Sequence, residues 1–257
     1  MSAQPESARL GVGEFAERIR HEMVPVNSRF SYFTTSLNLS DEDMREYLAE
    51  PIAALPPTVS TTLPKVLILL VPYLEHANGK TKRGQPVEDL ICFEKPAENR
   101  ICWDSHVERK EEEILAFGLR DQEMVDYHYR LFRHLARLAD GFAGPDEINS
   151  YFALLREELS GNVHGEVDEQ SWRSKQALLR RQTKVRRETK AFVEYAHQSL
   201  VDTLPLHLHG ICCDIDVETG PRQLPSRILR RRLQLLHSLY PPPEGYAVFP
   251  EEASRGS

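Results

Sequence analysis

The segment Leu204 to Val217 gathers the residues best able to do chemistry, with His207 and His209 separated by one position and Cys212 and Cys213 close behind. Read as a strand, alternate side chains share a face, so the two histidines point to one side with Cys213 further along it. That is the disposition of His-x-His metal pairs. A zinc or iron centre needs a third ligand, and the available candidates are His128, His134, His197 and Glu194. Glu194 and His197 have the Glu-x-x-His spacing of helical metal-carboxylate sites. Such sites need a second element of the same kind, and none is readable. The expectation is therefore that Leu204, Leu206 and Leu208 bury one face while the histidines stand at a rim. The same reasoning makes His128, on the apolar side of its helix, a hydrogen-bonded core residue rather than a haem or metal ligand.

The cysteines give a weaker signal. Cys92, Cys102, Cys212 and Cys213 have neither disulfide-framework nor Cys-x-x-Cys spacing, so reduced thiols are expected and a four-thiolate zinc is not. A nucleophilic cysteine needs a base and an orienting group beside it, which spacing alone does not supply.

A second kind of chemistry is electrostatic. Ser171 to Lys190 carries eight basic residues against Glu188, within a chain of net charge -7. From Ser171 to Arg232 there are thirteen Lys and Arg against six Asp and Glu, so this segment is +7 and the remainder -14. At helical spacing Arg173, Arg180, Lys184 and Arg187 fall on one stripe, with Arg181 beside it, opposite Leu178, Val185 and Phe192. Arg230 and Arg231 add cations on a later helix. Like charges at i, i+4 weaken a helix, so a one-sided face points to an anionic partner. Guanidinium groups pair well with phosphate, although no helix-turn-helix, zinc finger or RNP motif accompanies them. Nucleic acid, an acidic protein surface, or the chain's own acidic block at 108–113 would each satisfy the charge, self-association is compatible with it, and a plainly solvated face is the remaining alternative.

The elements that must position these residues read as an α+β protein, predominantly α-helical. The expectation is a helical bundle with a small antiparallel β element, a hairpin at about 90–104. Folding the chain about Ala97 sets Glu94 opposite Arg100, Phe93 opposite Ile101, Cys92 opposite Cys102 and Ile91 opposite Trp103. Ser40 with Asp43 marks a helix start, Val66 to Val71 reads as a buried strand, and a helix is expected at 106–117. Further helices follow at 121–139, after Pro145, over 168–204, and after Pro225 with Arg227, Arg230, Arg231 and Arg232 outward. The chain reads as one domain, divisible into a mixed part at 1–104 and a helical part at 105–240, with a tail at 241–257.

These readings favour an intracellular, cytoplasmic binding or scaffold component that engages an anionic partner, with no cofactor and no membrane partner. The amino terminus lacks the layout of a secretory signal, and no apolar run spans a bilayer. The alternative is a zinc-, iron- or haem-dependent enzyme using His207, His209 and a helical histidine.

Overall fold

The computed structural model describes residues 9–77, 88–140, 145–180, 189–212 and 223–246. The chain divides into two compact units: residues 1–49 with 63–130, and residues 50–62 with 131–257.

The first unit is built on two sheets. In chain order its elements are β1 (Leu10–Gly11), α1 (Val12–Arg18), β2 (Val24–Pro25), β3 (Phe30–Thr34) and α2 (Asp41–Met44), which runs into a π-helical turn at Arg45–Ala49. The short helices α3 (Glu50–Ala53) and α4 (Pro57–Thr62) belong to the second unit. The first unit resumes with β4 (Lys65–Val71), β5 (Tyr73–Glu75), β6 (Leu90–Cys92), β7 (Ile101–Cys102), β8 (Asp104–Glu108) and β9 (Glu112–Gly118). One sheet has the order β2-β3-β4-β9-β8, with β3, β4 and β9 parallel and the edges antiparallel. The other has the order β1-β6-β5-β7 and is antiparallel throughout.

Buried from Val66 to Val71, β4 lies between two parallel neighbours, which is why its sequence is a continuous apolar run rather than an alternation. Its Leu67, Leu69 and Val71 pack with Ile114, Ala116, Leu74 and Ile91 against Val12, Phe15 and Ala16 of α1. Ser40 caps α2 as its spacing predicts: its hydroxyl accepts from the Asp43 amide at 3.1 Å, while its own amide donates to the Asp43 carboxylate at 2.7 Å. The π-helical turn leaves carbonyls to be met from outside. Tyr127 donates its hydroxyl to Tyr47 O at 2.9 Å, and His128 Nε2 lies 3.0 Å from Glu46 O.

The remaining elements are α5 (Met124–Asp140), within which the division between the units falls, α6 (Pro145–Ser160), α7 (Glu169–Arg180), α8 (Lys190–Cys212) and α9 (Ser226–Leu239). Among the described residues no helix is long and apolar enough to cross a membrane.

Two sheets of four and five strands overturn the expectation of a predominantly helical bundle with a small hairpin; the protein is α+β with substantial sheet. The 90–104 hairpin is not formed. Instead β5 lies between β6 and β7, pairing Leu74 with Ile91 on one side and with Cys102 on the other, so Glu94 and Arg100 are not cross-strand neighbours. Chemically sensible pairs across a turn do not fix a register when a third strand competes for the same edges. The helix expected at 106–117 is the antiparallel pair β8–β9, where Ser105 and Val107 are buried and His106 and Glu108 exposed, the two-residue period of a half-buried strand.

Candidate functional site

Four oppositely charged side chains meet inside the helical unit. Glu158 lies near the end of α6, Glu166 in the loop before α7, Lys175 on α7 and Arg232 on α9, and the side chains are at most 1% exposed. Arg232 donates to both carboxylates, through Nη2 to Glu158 Oε2 at 2.6 Å and through Nη1 to Glu166 Oε2 at 2.8 Å. Its Nη1 also reaches Ser199 Oγ at 2.8 Å on α8. Lys175 Nζ donates to Glu166 Oε1 at 3.2 Å and to Gly165 O at 2.9 Å, and the Tyr195 hydroxyl donates to Glu166 as well. Two acids and two bases make the group neutral. Burial pushes the Glu166 carboxyl up, but Arg232, Lys175 and the hydroxyl of Tyr195 together outweigh it and hold it at about 2.

Gly165 makes this placement possible. Its φ of +85° favours glycine, and a Cβ there would meet Gln223 O at 2.2 Å. The close approach lets Glu166 bridge to Gln223 and accept from the Leu224 amide at 3.1 Å, which aims its side chain inward. The expectation that Arg232 points outward is therefore wrong, and Lys175 also turns in. Basic residues on an otherwise cationic helix look alike in sequence, and only the distant Glu158 and Glu166 distinguish these two.

The other basic residues stay outside. Arg173, Arg180, Arg227, Arg230 and Arg231 are exposed. Arg173 pairs with Glu169 one turn earlier at 3.0 Å, and Arg231 pairs with Glu157. Arg181, Lys184 and Arg187 lie outside the described residues, as does Cys213. Of the single helix expected over 168–204, the parts in α7 and α8 are described, and 181–188 lie outside the described residues.

The strand expected at Leu204–Val217 is corrected as far as Cys212, because α8 continues through Pro205 to that residue; 213–217 lie outside the described residues. Leu-His-Leu-His imitates a period of two, but this part of the helix is buried nearly all round and so has no polar face to reveal its turn. On a helix His207 and His209 diverge. His207 is fully buried with Nε2 2.9 Å from Tyr240 O, and its ring faces His237 at 6.2 Å. Burial presses its pKa down to about 4. His209 packs on Phe132 and His197 on Phe152, while Glu194 pairs with Lys190 at 3.8 Å. Among the described residues these four do not gather as metal ligands.

A second polar group, not singled out by sequence, lies on the antiparallel sheet of the first unit. Glu75 is buried and takes ion pairs from Arg100 at 2.9 Å and Arg9 at 3.3 Å. The Cys92 thiol lies 3.4 Å from the same carboxylate. Beside it, His76 Nδ1 meets Asp89 Oδ1 at 2.9 Å, with Cys102 close by. Cys92 and Cys102 are free thiols.

Comparisons with protein-family models, curated proteins and solved structures find no match to this chain.

Proposed function

We propose that the protein is a binding component, in the cytoplasm, that engages an anionic partner through the exposed arginines of α7 and α9. The observation that supports this is the sorting of the basic residues. Lys175 and Arg232 are committed to Glu166 inside, which ties α7 and α9 to one carboxylate, while Arg173, Arg180, Arg230 and Arg231 remain at the surface of the helices so anchored. Arg227 and Arg231 are one turn apart on α9, and Arg173 and Arg180 two turns apart on α7, so each helix presents its cations on one side. Guanidinium groups bind phosphate and carboxylate through paired hydrogen bonds, which suits nucleic acid or an acidic protein surface.

The test is titration of the full chain with a mixed-sequence oligonucleotide and, separately, with polyglutamate, over a range of salt. Wild type should bind at least one of them. Replacing Arg173, Arg180, Arg230 and Arg231 with Gln should weaken binding and lower the slope of log affinity against log salt by about one unit for each phosphate no longer neutralised. Stability should change by no more than about 0.5 kcal/mol for each substitution. Unchanged binding by the quadruple variant, or no binding of either probe by wild type, would sink the proposal.

A further inference from the structure

The register of the antiparallel sheet brings three unlike ligands to one place. Leu74 on β5 lies opposite Ile91 on β6 and Cys102 on β7. Because side chains alternate along a strand, His76 follows Leu74 on the same face and Asp89 precedes Ile91 on it. Leu74 and Ile91 belong to the apolar core and Cys102 packs against it, so the three polar residues stand at the rim of that core. The His76 amide donates to Arg100 O at 2.7 Å, which ties the end of β5 to the start of β7. Asp89 is held in turn, its carboxylate accepting from the Ala77 amide at 3.3 Å and its carbonyl from the Val12 amide at 3.0 Å. One ligand atom from each of His76, Asp89 and Cys102 lies within 4.8 Å of the other two.

We propose that His76, Asp89 and Cys102 form a divalent-metal site suited to zinc, in which three strand ends supply an imidazole, a carboxylate and a thiolate and solvent supplies the fourth ligand. Tetrahedral zinc with bonds of about 2.0–2.3 Å sets its ligand atoms about 3.3–3.8 Å apart. The His76–Asp89 distance of 2.9 Å is a hydrogen bond that the metal would replace by opening it slightly. The sulfur would close by about 1 Å at most, within reach of side-chain rotation. Neutral imidazole, one carboxylate and one thiolate give two negative charges, which a divalent ion cancels. His76, with 64% of its side chain exposed, leaves an entry path and room for water.

The same three residue types could also make a nucleophilic triad, but the electrostatics here oppose that use. The Asp89 carboxylate lies within 4.8 Å of the Cys102 sulfur, and negative charge there opposes the thiolate that a nucleophile without a neighbouring cation needs. A thiol beside carboxylates lacks a positive charge, and a bound metal ion supplies one and takes the thiolate directly. Proton release on binding follows.

The experiment is zinc titration of the reduced, tag-free full chain, followed by cobalt in place of zinc. One equivalent should bind, with a sulfur-to-cobalt charge-transfer band in the near ultraviolet. Cys102→Ser should abolish the band, and His76→Ala or Asp89→Asn should each weaken binding by more than about 100-fold, beyond the loss of an outer-shell partner. Cys92→Ser should keep both. If Cys102→Ser does not fold, zinc should still protect Cys102 of wild type from alkylation, read by mass spectrometry of its peptide. Equal alkylation with and without zinc, absence of the band in wild type, or loss of the metal from a His207→Ala/His209→Ala variant instead would overturn the site.

Discussion

Glu75 and Glu166 are both buried carboxylates held by arginine, yet their surroundings differ. The partners of Glu166 are themselves inside, with Lys175 and Arg232 at most 1% exposed. Those of Glu75 reach in from the surface, Arg9 at 60% and Arg100 at 36% exposure. The first group is closed: its charges cancel, and Arg232 alone donates to Glu158, Glu166 and Ser199. The second borders a rim where His76, Asp89 and Cys102 meet only at hydrogen-bond distance or beyond. A saturated network can hold elements together but has little left to offer a ligand. A partly saturated one at a rim has donor atoms to spare.

The largest expected effect breaks the closed group. Glu166→Gln leaves Lys175 and Arg232 against Glu158 alone and should cost about 3–5 kcal/mol of unfolding free energy in urea denaturation, the range for removing one partner of a buried pair. Asp89→Asn at the rim should cost less than about 1 kcal/mol. Equal costs would erase the distinction between the two regions.

Acid should separate two contributions within the helical unit. His207 titrates at about 4 when folded because burial disfavours its charged form, so the unfolded chain binds a proton first as pH falls below the ordinary value of 6.5. Stability from this group is full above that value and falls by about 3 kcal/mol as pH drops through this window. Glu166 is depressed from 4.5 to about 2, so its contribution is present above 4.5 and is lost below it, by a similar amount. Denaturant curves of wild type and His207→Gln across both windows should show the upper slope flattened and the lower one kept.

Gly165→Ala gives a smaller effect than Glu166→Gln and sharpens the contrast. Placing a side chain at φ +85° with Cβ 2.2 Å from Gln223 O should destabilise the helical unit by on the order of 2 kcal/mol. Zinc affinity at the sheet rim should not change. A shift in that affinity would mean that the two regions are coupled.

Parts of the fold were legible because the signal was local. The Ser40 cap, the β4 run and the helices begun by Pro145 and after Pro225 depend on near neighbours in sequence, and each stands where its pattern placed it. The hairpin failed because β5 inserts between β6 and β7, and strand partners are chosen by the whole sheet. The histidine strand failed because a helix buried on all sides carries no period to read.

The candidate sites divide along the same line. Composition alone determined that the stretch from Ser171 to Arg232 is cationic within an acidic chain, since charge is carried by residue identity. Which cations face outward was decided by Glu158 and Glu166, residues distant in sequence from Arg232, whose buried negative charge demands a buried positive one. The meeting of His76, Asp89 and Cys102 was likewise decided by strand order. Each comes from a different strand end, and nothing in their spacing along the chain brings them together until β5 pairs on both edges.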